Sequence, residues 1–230
     1  MSSINLYTQF HTNFADLWQS VMGLLNIAEE NPTNINDIHA MMRRSMVKLD
    51  ETLKEIIDYS NNARSEITSS EIDWKNMINV AIGKLLYLSD AGKVQMTIDD
   101  SGAQFPFYSD PGRLAIIFNS IYSNSIIYAT HERQPTVHTK IDVAYDTVAI
   151  TITDNGIGIT EKTLPHVFNM FYRASERSSG AGLGLYITKE TVKKLGGQVT
   201  IQSTEARGTV VTVTLPNNNQ NNSVEEEFLE

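Results

Sequence analysis

The sequence of 230 residues contains no cysteine, which excludes disulfide bridges and thiolate metal sites and fits a reducing compartment. No apolar run approaches the ~18 residues that a membrane-spanning helix needs, and no secretory signal opens the chain. Basic residues are also few, since 18 Lys and Arg stand against 27 Asp and Glu, for a formal charge of −9. This balance argues against a nucleic-acid partner. The composition therefore predicts a globular segment that contacts neither nucleic acid nor membrane.

The first motif that carries chemistry is residues 154–159, Asp-Asn-Gly-Ile-Gly-Ile. It follows an alternating apolar run, residues 148–153, which is typical of a half-buried strand. The carboxylate of Asp154 leaves that strand into a Gly-x-Gly turn, where it can accept a hydrogen bond from an exocyclic amine. Gly156 and Gly158 would let a planar ring approach the backbone. The alternative interpretation is an ordinary Asp-x-Gly turn without a ligand.

A second glycine motif, residues 180–185, reads Gly-Ala-Gly-Leu-Gly-Leu and opens an apolar helix predicted over residues 183–195. Helix N-termini with bare amides are natural phosphate sites. Gly182, Gly184 and Leu185 are therefore candidate phosphate-binding residues.

A third element is the helix predicted over residues 115–128, with Asp110 as its N-cap before Pro111. Asn124 on this helix could give its side-chain oxygen to a magnesium ion that also holds phosphates. The alternative for Asn124 is a solvated helix asparagine.

The order of these motifs resembles that of the sensor histidine kinases of the GHKL ATPase superfamily. Residues 123–128 resemble the family's Asn-containing helix, residues 167–175 its aromatic box, and residues 208–213 its closing strand. The resemblance covers residues 10–216 and implies ATP and Mg²⁺ as cofactors. It further implies the following roles: an acceptor for the adenine N6 at Asp154, a Mg²⁺ ligand at Asn124, a nucleotide-flanking ring at Tyr128, and support of the adenine pocket at Thr209.

The family resemblance implies an ATP-dependent protein histidine kinase of two-component signal transduction. Such a kinase works as a homodimer, phosphorylates its own histidine and passes the phosphoryl group to a response-regulator receiver domain. His11 is the candidate acceptor, because it is the histidine of the first predicted helix. The chain would then be the cytoplasmic part of a longer sensor protein.

The sequence departs from the family pattern at several positions. No acidic residue follows His11 directly, and the proline that the family usually has some five residues after its histidine is missing. The helical phase of His11 also suits a ring packed beside Trp18. Thr12 stands at the alternative helical position for the acceptor. Ser120 replaces a usual Asn, and Ile127 replaces a usual Lys or Arg. These departures favour an alternative function, a catalytically impaired kinase-like scaffold that binds ATP or nothing and signals by conformation.

The predicted fold class is α+β. Residues 1–70 are expected to form an antiparallel helical hairpin for dimerisation and phosphotransfer, which becomes a four-helix bundle in the dimer. Its second helix carries two interleaved heptad series, one at Met42, Leu49, Ile56 and Ala63, the other at Met46, Leu53, Ser60 and Ile67. A monomeric hairpin packed on the following domain is the alternative.

Residues 71–216 are predicted to form an ATP-binding GHKL-type α/β sandwich, with helices on one face of a mixed sheet. Residues 217–230, rich in Asn, are predicted to be a disordered tail that ends in cloning-derived residues. The expected elements of the sandwich are helices over residues 74–88, 115–128 and 183–195 and strands over residues 94–99, 137–143, 148–153, 198–201 and 209–215.

Overall fold

The computed structural model of the protein describes residues 15, 18–23, 25–27, 35–88, 90–173 and 182–218. The chain divides into two compact units, one of residues 1–58 with 179–181 and one of residues 59–178 with 182–230. The predicted domain boundary at residue 70 stays a prediction. His11, the predicted acceptor, lies outside the described residues.

In the first unit, residues 15, 18–23 and 25–27 are helical. A long helix α1 (Ile35–Arg64) begins in the first unit, and its residues 59–64 belong to the second. Leu49 of the first heptad series is buried, whereas Met46 and Leu53 of the second series expose 59% and 41% of their surface. Among the described residues, no helix combines the length and the apolar character that crossing a bilayer requires.

The second heptad series was predicted to reach Ile67, and this is wrong, because α1 ends at Arg64. The chain leaves the helix at Ser65, whose carbonyl accepts hydrogen bonds from Arg113 at 2.7 Å and Lys194 at 2.8 Å. Cations at the carbonyl end of a helix are favourable, so these contacts fix the point at which the helix stops.

The second unit is a two-layer α/β sandwich, as the sequence predicts. The described strands of its main sheet are β2 Gln95–Ala103, β4 Thr136–Val143, β5 Thr147–Asp154, β6 Gln198–Thr204 and β7 Gly208–Pro216. They have the order β2-β4-β5-β7-β6, in which β2 and β4 are parallel and all other neighbours are antiparallel. Burial alternates along β4 and β5, so that one face of each strand packs into the core.

In the part of this unit that the structure describes, the second layer consists of the helices α2 (Trp74–Lys84), α3 (Pro111–Ile127) and α4 (Gly184–Lys194). The predicted caps are confirmed: Asp73 accepts a hydrogen bond from the backbone of Asn76 at the start of α2, and Asp110 accepts from that of Arg113 at the start of α3.

Helix α2 ends at Lys84, before the predicted Leu88. Leu86 and Tyr87, which follow its last residue, expose 65% and 78% of their surface among the described residues. A small antiparallel pair, β1 (Ser70–Glu71) and β3 (Tyr108–Ser109), precedes α3 and was not predicted.

Helix α3 is buried along most of its length against the sheet. Leu114 and Phe118 are fully buried, and the hydroxyl of Tyr122 shares a buried 2.8 Å hydrogen bond with that of Thr139 on β4. A buried polar pair between a helix and a strand holds one particular packing arrangement. This arrangement fixes α3, and with it Asn124, above the sheet.

Asn217 belongs to the folded unit, although it was assigned to the disordered tail. It is 8% exposed, its side-chain oxygen accepts from the Tyr108 amide at 3.0 Å, and its side-chain nitrogen donates to the carbonyl of Pro106 at 2.8 Å. Asparagine composition alone does not show such pairing with distant backbone. Residues 219–230 of the predicted tail lie outside the described residues.

Candidate nucleotide-binding site

Asp154 is the last residue of β5 and lies opposite Thr209 of β7 in the antiparallel register. Its Oδ1 accepts hydrogen bonds from the Gly156 amide at 2.9 Å and the Thr209 amide at 3.2 Å. Its Oδ2 accepts from the Ser125 hydroxyl at 3.3 Å. The backbone therefore orients one carboxylate oxygen, while the other has a long hydrogen bond and retains acceptor capacity.

Burial raises the pKa of Asp154 above the ordinary 3.8, although hydrogen bonds from Gly156, Thr209 and Ser125 act in the opposite direction. Desolvation disfavours the charged form of a carboxyl group. A ligand that donates a hydrogen bond to Oδ2 would stabilise that charged form. The Asp154 carboxylate is thus placed to act as a buried hydrogen-bond acceptor for an amine.

The turn after Asp154 requires glycine because a Cβ atom would meet the protein's own backbone, which the sequence alone did not show. A Cβ atom at Gly156 would lie 2.6 Å from the carbonyl oxygen of Tyr128, and one at Gly158 would lie 2.1 Å from that of Thr204. Gly158 also has a φ of +69°, which L side chains rarely adopt. The protein's own backbone therefore occupies the space beside both glycines.

The end of helix α3 contributes the next two candidate residues. The Tyr128 amide donates to the Asn124 carbonyl at 2.9 Å, and the Ile157 amide donates to the Tyr128 carbonyl at 3.0 Å. The half-buried side chains of Asn124 and Tyr128 thus lie at the junction between α3 and the glycine turn.

Two serines bond residues of the candidate site and were not among the predicted site residues. Ser125 is next to Asn124 in sequence and bonds Asp154, so it connects the two predicted sites. Ser203 on β6 accepts from the Ile159 amide at 2.8 Å and shares a 2.9 Å hydrogen bond with the Thr209 hydroxyl. Ser125 lies within the Asn-containing motif, which was an available signal. Nothing in the local sequence marks Ser203.

The second glycine motif meets α3 one turn before Asn124. A Cβ atom at Gly184, the first residue of α4, would lie 2.9 Å from the Ser120 hydroxyl oxygen. That hydroxyl is buried and has no hydrogen-bond partner among the described residues. Gly182 has a φ of +77°, and the half-buried Leu185 follows Gly184. The structure therefore brings the start of α4 against the Asn-containing helix, whereas residues 174–181 lie outside the described ranges.

These residues fit a nucleotide with a divalent cation. An unpartnered buried hydroxyl at Ser120 and a partly free carboxylate oxygen at Asp154 are polar groups that a ligand would satisfy. The described residues include no group of three or more His, Asp or Glu side chains placed to hold a metal ion. A Mg²⁺ ion bound by Asn124 would accordingly take its further ligands from phosphate oxygens and water.

Comparison with known proteins identifies the domain that carries this site. Residues 109–219 match the family described as histidine kinase-, DNA gyrase B-, and HSP90-like ATPase. Sensor protein kinase WalK of Staphylococcus epidermidis is 30% identical over 176 residues, which cover 74% of this chain and 28% of that protein. WalK of Staphylococcus haemolyticus is 29% identical over the same share of each chain. The matched region thus spans about 28% of the length of these curated relatives.

Solved structures show the same fold. Acinetobacter baumannii histidine kinase AdeS aligns with a TM-score of 0.68 at 17% identity, covering 88% of this chain and 96% of that one. Full-length ShkA, solved in complex with AMPPNP, aligns with a TM-score of 0.64 at 17% identity, covering 94% of this chain and 46% of that one. This chain therefore contains a domain of the GHKL ATPase family and is homologous to WalK and other sensor histidine kinases.

Proposed function

We propose that this chain is the dimerisation and catalytic part of a two-component sensor histidine kinase. It binds ATP with Mg²⁺, transfers the γ-phosphoryl group to its own histidine and passes it to an aspartate of a response-regulator receiver domain. The observation that carries the proposal is the carboxylate of Asp154, whose Oδ1 is fixed by two backbone amides while Oδ2 keeps acceptor capacity. The homology to sensor histidine kinases supports the same function.

Asp154 accepts a hydrogen bond from the N6 amine of adenine through Oδ2. Thr209 supports this pocket, since its amide bonds the carboxylate and its hydroxyl bonds Ser203. Tyr128 flanks the nucleotide, and its carbonyl holds the glycine turn in place through the Ile157 amide.

The phosphate end of the nucleotide lies toward α4. The amides at Gly182, Gly184 and Leu185 bind phosphate oxygens, as helix N-termini do. Asn124 provides an oxygen ligand to Mg²⁺, which supplies charge neutralisation when it is bound. Ser120 cannot act as a base that activates water, so steady ATP hydrolysis is expected to be slow.

His11 is the proposed acceptor in this reaction. A ring nitrogen attacks the γ-phosphorus as the bond to the leaving ADP breaks, so that one P–O bond is exchanged for one P–N bond. The absence of an acidic residue directly after His11 removes the usual group for orienting and deprotonating the imidazole, so transfer is expected to be slow.

Dimerisation explains the exposed apolar side chains of α1. Met46, Val47, Leu53 and Ile57 each expose between 41% and 59% of their surface, an unusual fraction for large apolar groups on one helix. A four-helix bundle formed by two hairpins would bury such groups. The chain is then the cytoplasmic part of a longer sensor protein.

The alternative function is a kinase-like scaffold that binds ATP or nothing and signals by conformation. The substitutions at Ser120 and Ile127 and the altered surroundings of His11 are the observations in its favour. The relatives, which are sensor kinases, do not favour it.

Incubation with γ-labelled ATP tests the two functions against each other. The kinase is expected to gain label that survives alkali and is lost in acid, whereas a scaffold gains none. His11→Gln should remove this label and leave ATP affinity unchanged, while His39→Gln, which alters an exposed histidine of α1, should keep it. Acid-stable label that persists in His11→Gln would instead indicate an ester at Thr12.

A further inference from the structure

Arg133 contacts both turns that surround Asp154, although it belongs to none of the recognised motifs. It lies in the loop between α3 and β4. Its Nε donates to the Asn155 carbonyl at 2.9 Å, and its guanidinium also donates to the carbonyls of Gly156 at 3.2 Å and Ala206 at 2.6 Å. One planar cation thus joins the glycine turn after β5 to the hairpin between β6 and β7.

Each of the first two contacts reaches the candidate site through a single peptide unit. The Asn155 carbonyl and the Gly156 amide belong to one trans peptide, and that amide donates to Oδ1 of Asp154 at 2.9 Å. The Gly156 carbonyl and the Ile157 amide belong to the next peptide, and that amide donates to the Tyr128 carbonyl at 3.0 Å. A cation on the carbonyl side of a peptide strengthens the amide on its other side as a donor.

The loop that carries Arg133 is itself anchored to the same turn. The side chain of Asn155 accepts from the Thr136 amide at 2.8 Å and donates to the Gln134 carbonyl at 2.8 Å. The base of the Arg133 side chain is therefore held close to the carbonyls that its guanidinium reaches. The hairpin is also bonded directly to the turn, since the Ala206 amide donates to the Ile157 carbonyl at 2.7 Å.

We propose that Arg133 is a positioning residue for adenine recognition, which fixes the peptide units that orient the Asp154 carboxylate. This inference rests on the proposed function, because it assumes that Asp154 receives the adenine amine. Arg133 acts on the purine end of the site through the backbone and does not touch the phosphates. Loss of Arg133 should therefore reduce the preference of the site for a purine that carries an exocyclic amine over one that lacks it.

The test measures the affinities of ATP and inosine triphosphate, which lacks the exocyclic amine, by calorimetry with Mg²⁺ present. The wild-type chain should prefer ATP. Arg133→Ala should weaken ATP binding about tenfold, as expected for losing a charged donor, and leave inosine triphosphate nearly unchanged. Arg133→Lys, which keeps the charge without the planar fork, should give an intermediate ratio. Arg207→Ala, which alters an exposed arginine of the same hairpin, is the matched control and should bind as the wild type does.

The outcomes separate this inference from the proposed function. A wild-type chain that binds neither nucleotide overturns the proposed function and this inference with it. If the wild-type chain prefers ATP and the Arg133→Ala variant prefers it to the same degree, the inference is overturned and the proposed function stands. Equal losses for both nucleotides assign Arg133 a purely structural role and also overturn it. Should Arg133→Ala unfold, the ratio for Arg133→Lys decides between the same outcomes.

Discussion

The guanidinium of Arg113 donates to the Ser65 carbonyl at 2.7 Å and so joins the start of helix α3 to the first residue after helix α1. The same guanidinium bonds the Glu66 carbonyl at 3.0 Å and forms an ion pair with Asp110. The carboxylate of Asp110 in turn accepts from the Thr68 amide at 3.0 Å. The segment that follows α1 is thus held by a buried pair on the helix that also carries Asn124.

Removal of Arg113 should destabilise the second unit severely. Arg113 is 3% exposed, so Arg113→Ala leaves the Asp110 charge buried without its partner and should lower the free energy of unfolding by about 3 kcal/mol. Lys194→Ala is the control, since Lys194 bonds the same Ser65 carbonyl from a more exposed position, and this variant should lose much less stability than Arg113→Ala. Urea unfolding measures both. Similar losses in the two variants would show that the burial of the ion pair is unimportant.

Asp110 should make the unit sensitive to acid. Burial alone would raise the pKa of Asp110, but hydrogen bonds from Arg113 and Thr68 outweigh it and hold that pKa below the ordinary 3.8. A depressed carboxyl pKa contributes stability that is present above pH 3.8 and is lost as the pH falls through the lower, folded-state pKa. Asp110→Asn should therefore flatten the dependence of unfolding free energy on pH in this acid range. An unchanged profile would contradict the assignment.

Asp154→Asn should abolish nucleotide binding and leave the fold intact. The side-chain oxygen of asparagine can still accept from the Gly156 and Thr209 amides, but its nitrogen replaces Oδ2 and cannot accept from an amine. Calorimetry with ATP measures the loss, and thermal unfolding checks the fold. Ser125→Ala is the control, because it keeps the carboxylate and should bind ATP only moderately less tightly. Unchanged ATP affinity in Asp154→Asn would remove the pocket assignment.

The raised pKa of Asp154 gives this residue the opposite pH behaviour from Asp110. The folded state binds its proton more readily than the unfolded state does, so the Asp154 contribution to stability falls as the pH rises from 3.8 through the folded pKa. ATP affinity should change the other way and decline as the pH falls through that folded pKa, because the ionised carboxylate is a stronger acceptor for the amine than the protonated carboxyl group. In the Asp154→Asn variant, the pH-dependent contribution of Asp154 to the free energy of unfolding should be absent.

Gly184 and Ser120 should behave as a coupled pair. The Cβ of Gly184→Ala would lie 2.9 Å from the Ser120 hydroxyl oxygen but 3.9 Å from its Cβ, so Ser120→Ala relieves the contact. We expect a favourable coupling energy of roughly 1 kcal/mol between the two substitutions in a double-mutant cycle. Gly158→Ala is the contrasting case, since it meets backbone at 2.1 Å with a φ of +69°. Its loss should exceed about 2 kcal/mol by the same unfolding measurement, and no side-chain change should rescue it.

Asn217→Ala should reveal that this residue is part of the folded unit. It would leave the Tyr108 amide and the Pro106 carbonyl without their partner in a buried place, a loss of about 2 kcal/mol. The exposed neighbour provides the control, as Asn218→Ala should change the unfolding free energy by less than about 0.5 kcal/mol. Equal effects of the two substitutions on the unfolding free energy would show that Asn217 does not stabilise the folded unit and belongs to the tail.

Sequence patterns predicted most of the helices and strands of the sandwich, because these elements depend on interactions between residues that are close in sequence. The caps at Asp73 and Asp110 follow from a side-chain oxygen placed before a helix, and the alternating apolar residues over 148–153 predicted β5. The end of α2 was missed because Leu86 and Tyr87 look like a continuing apolar stripe. Whether such residues find a buried face depends on elements distant in sequence.

The candidate site was predicted in its motifs but not in its supporting contacts. Asp154 and the glycines are recognisable by type and spacing within a few residues. Ser203 and Arg133 reach the site only after the sheet brings together residues far apart in sequence, such as Arg133 and Ala206. A serine and an arginine without a local pattern carry no signal of such contacts.

The parallel pairing of β2 with β4 has a consequence for how the protein acquires its site. The two strands pair Thr97 with His138, and the chain between them contains the whole of α3. Closing such a loop costs chain entropy before the strand pairs form, so we expect this step to be slow in folding. The helix that carries Asn124 is the crossover itself, and its docking is tied to the closure of the sheet edge. An amide-exchange experiment during refolding should therefore find α3 and β2 protected in the same kinetic phase, later than the β6–β7 hairpin.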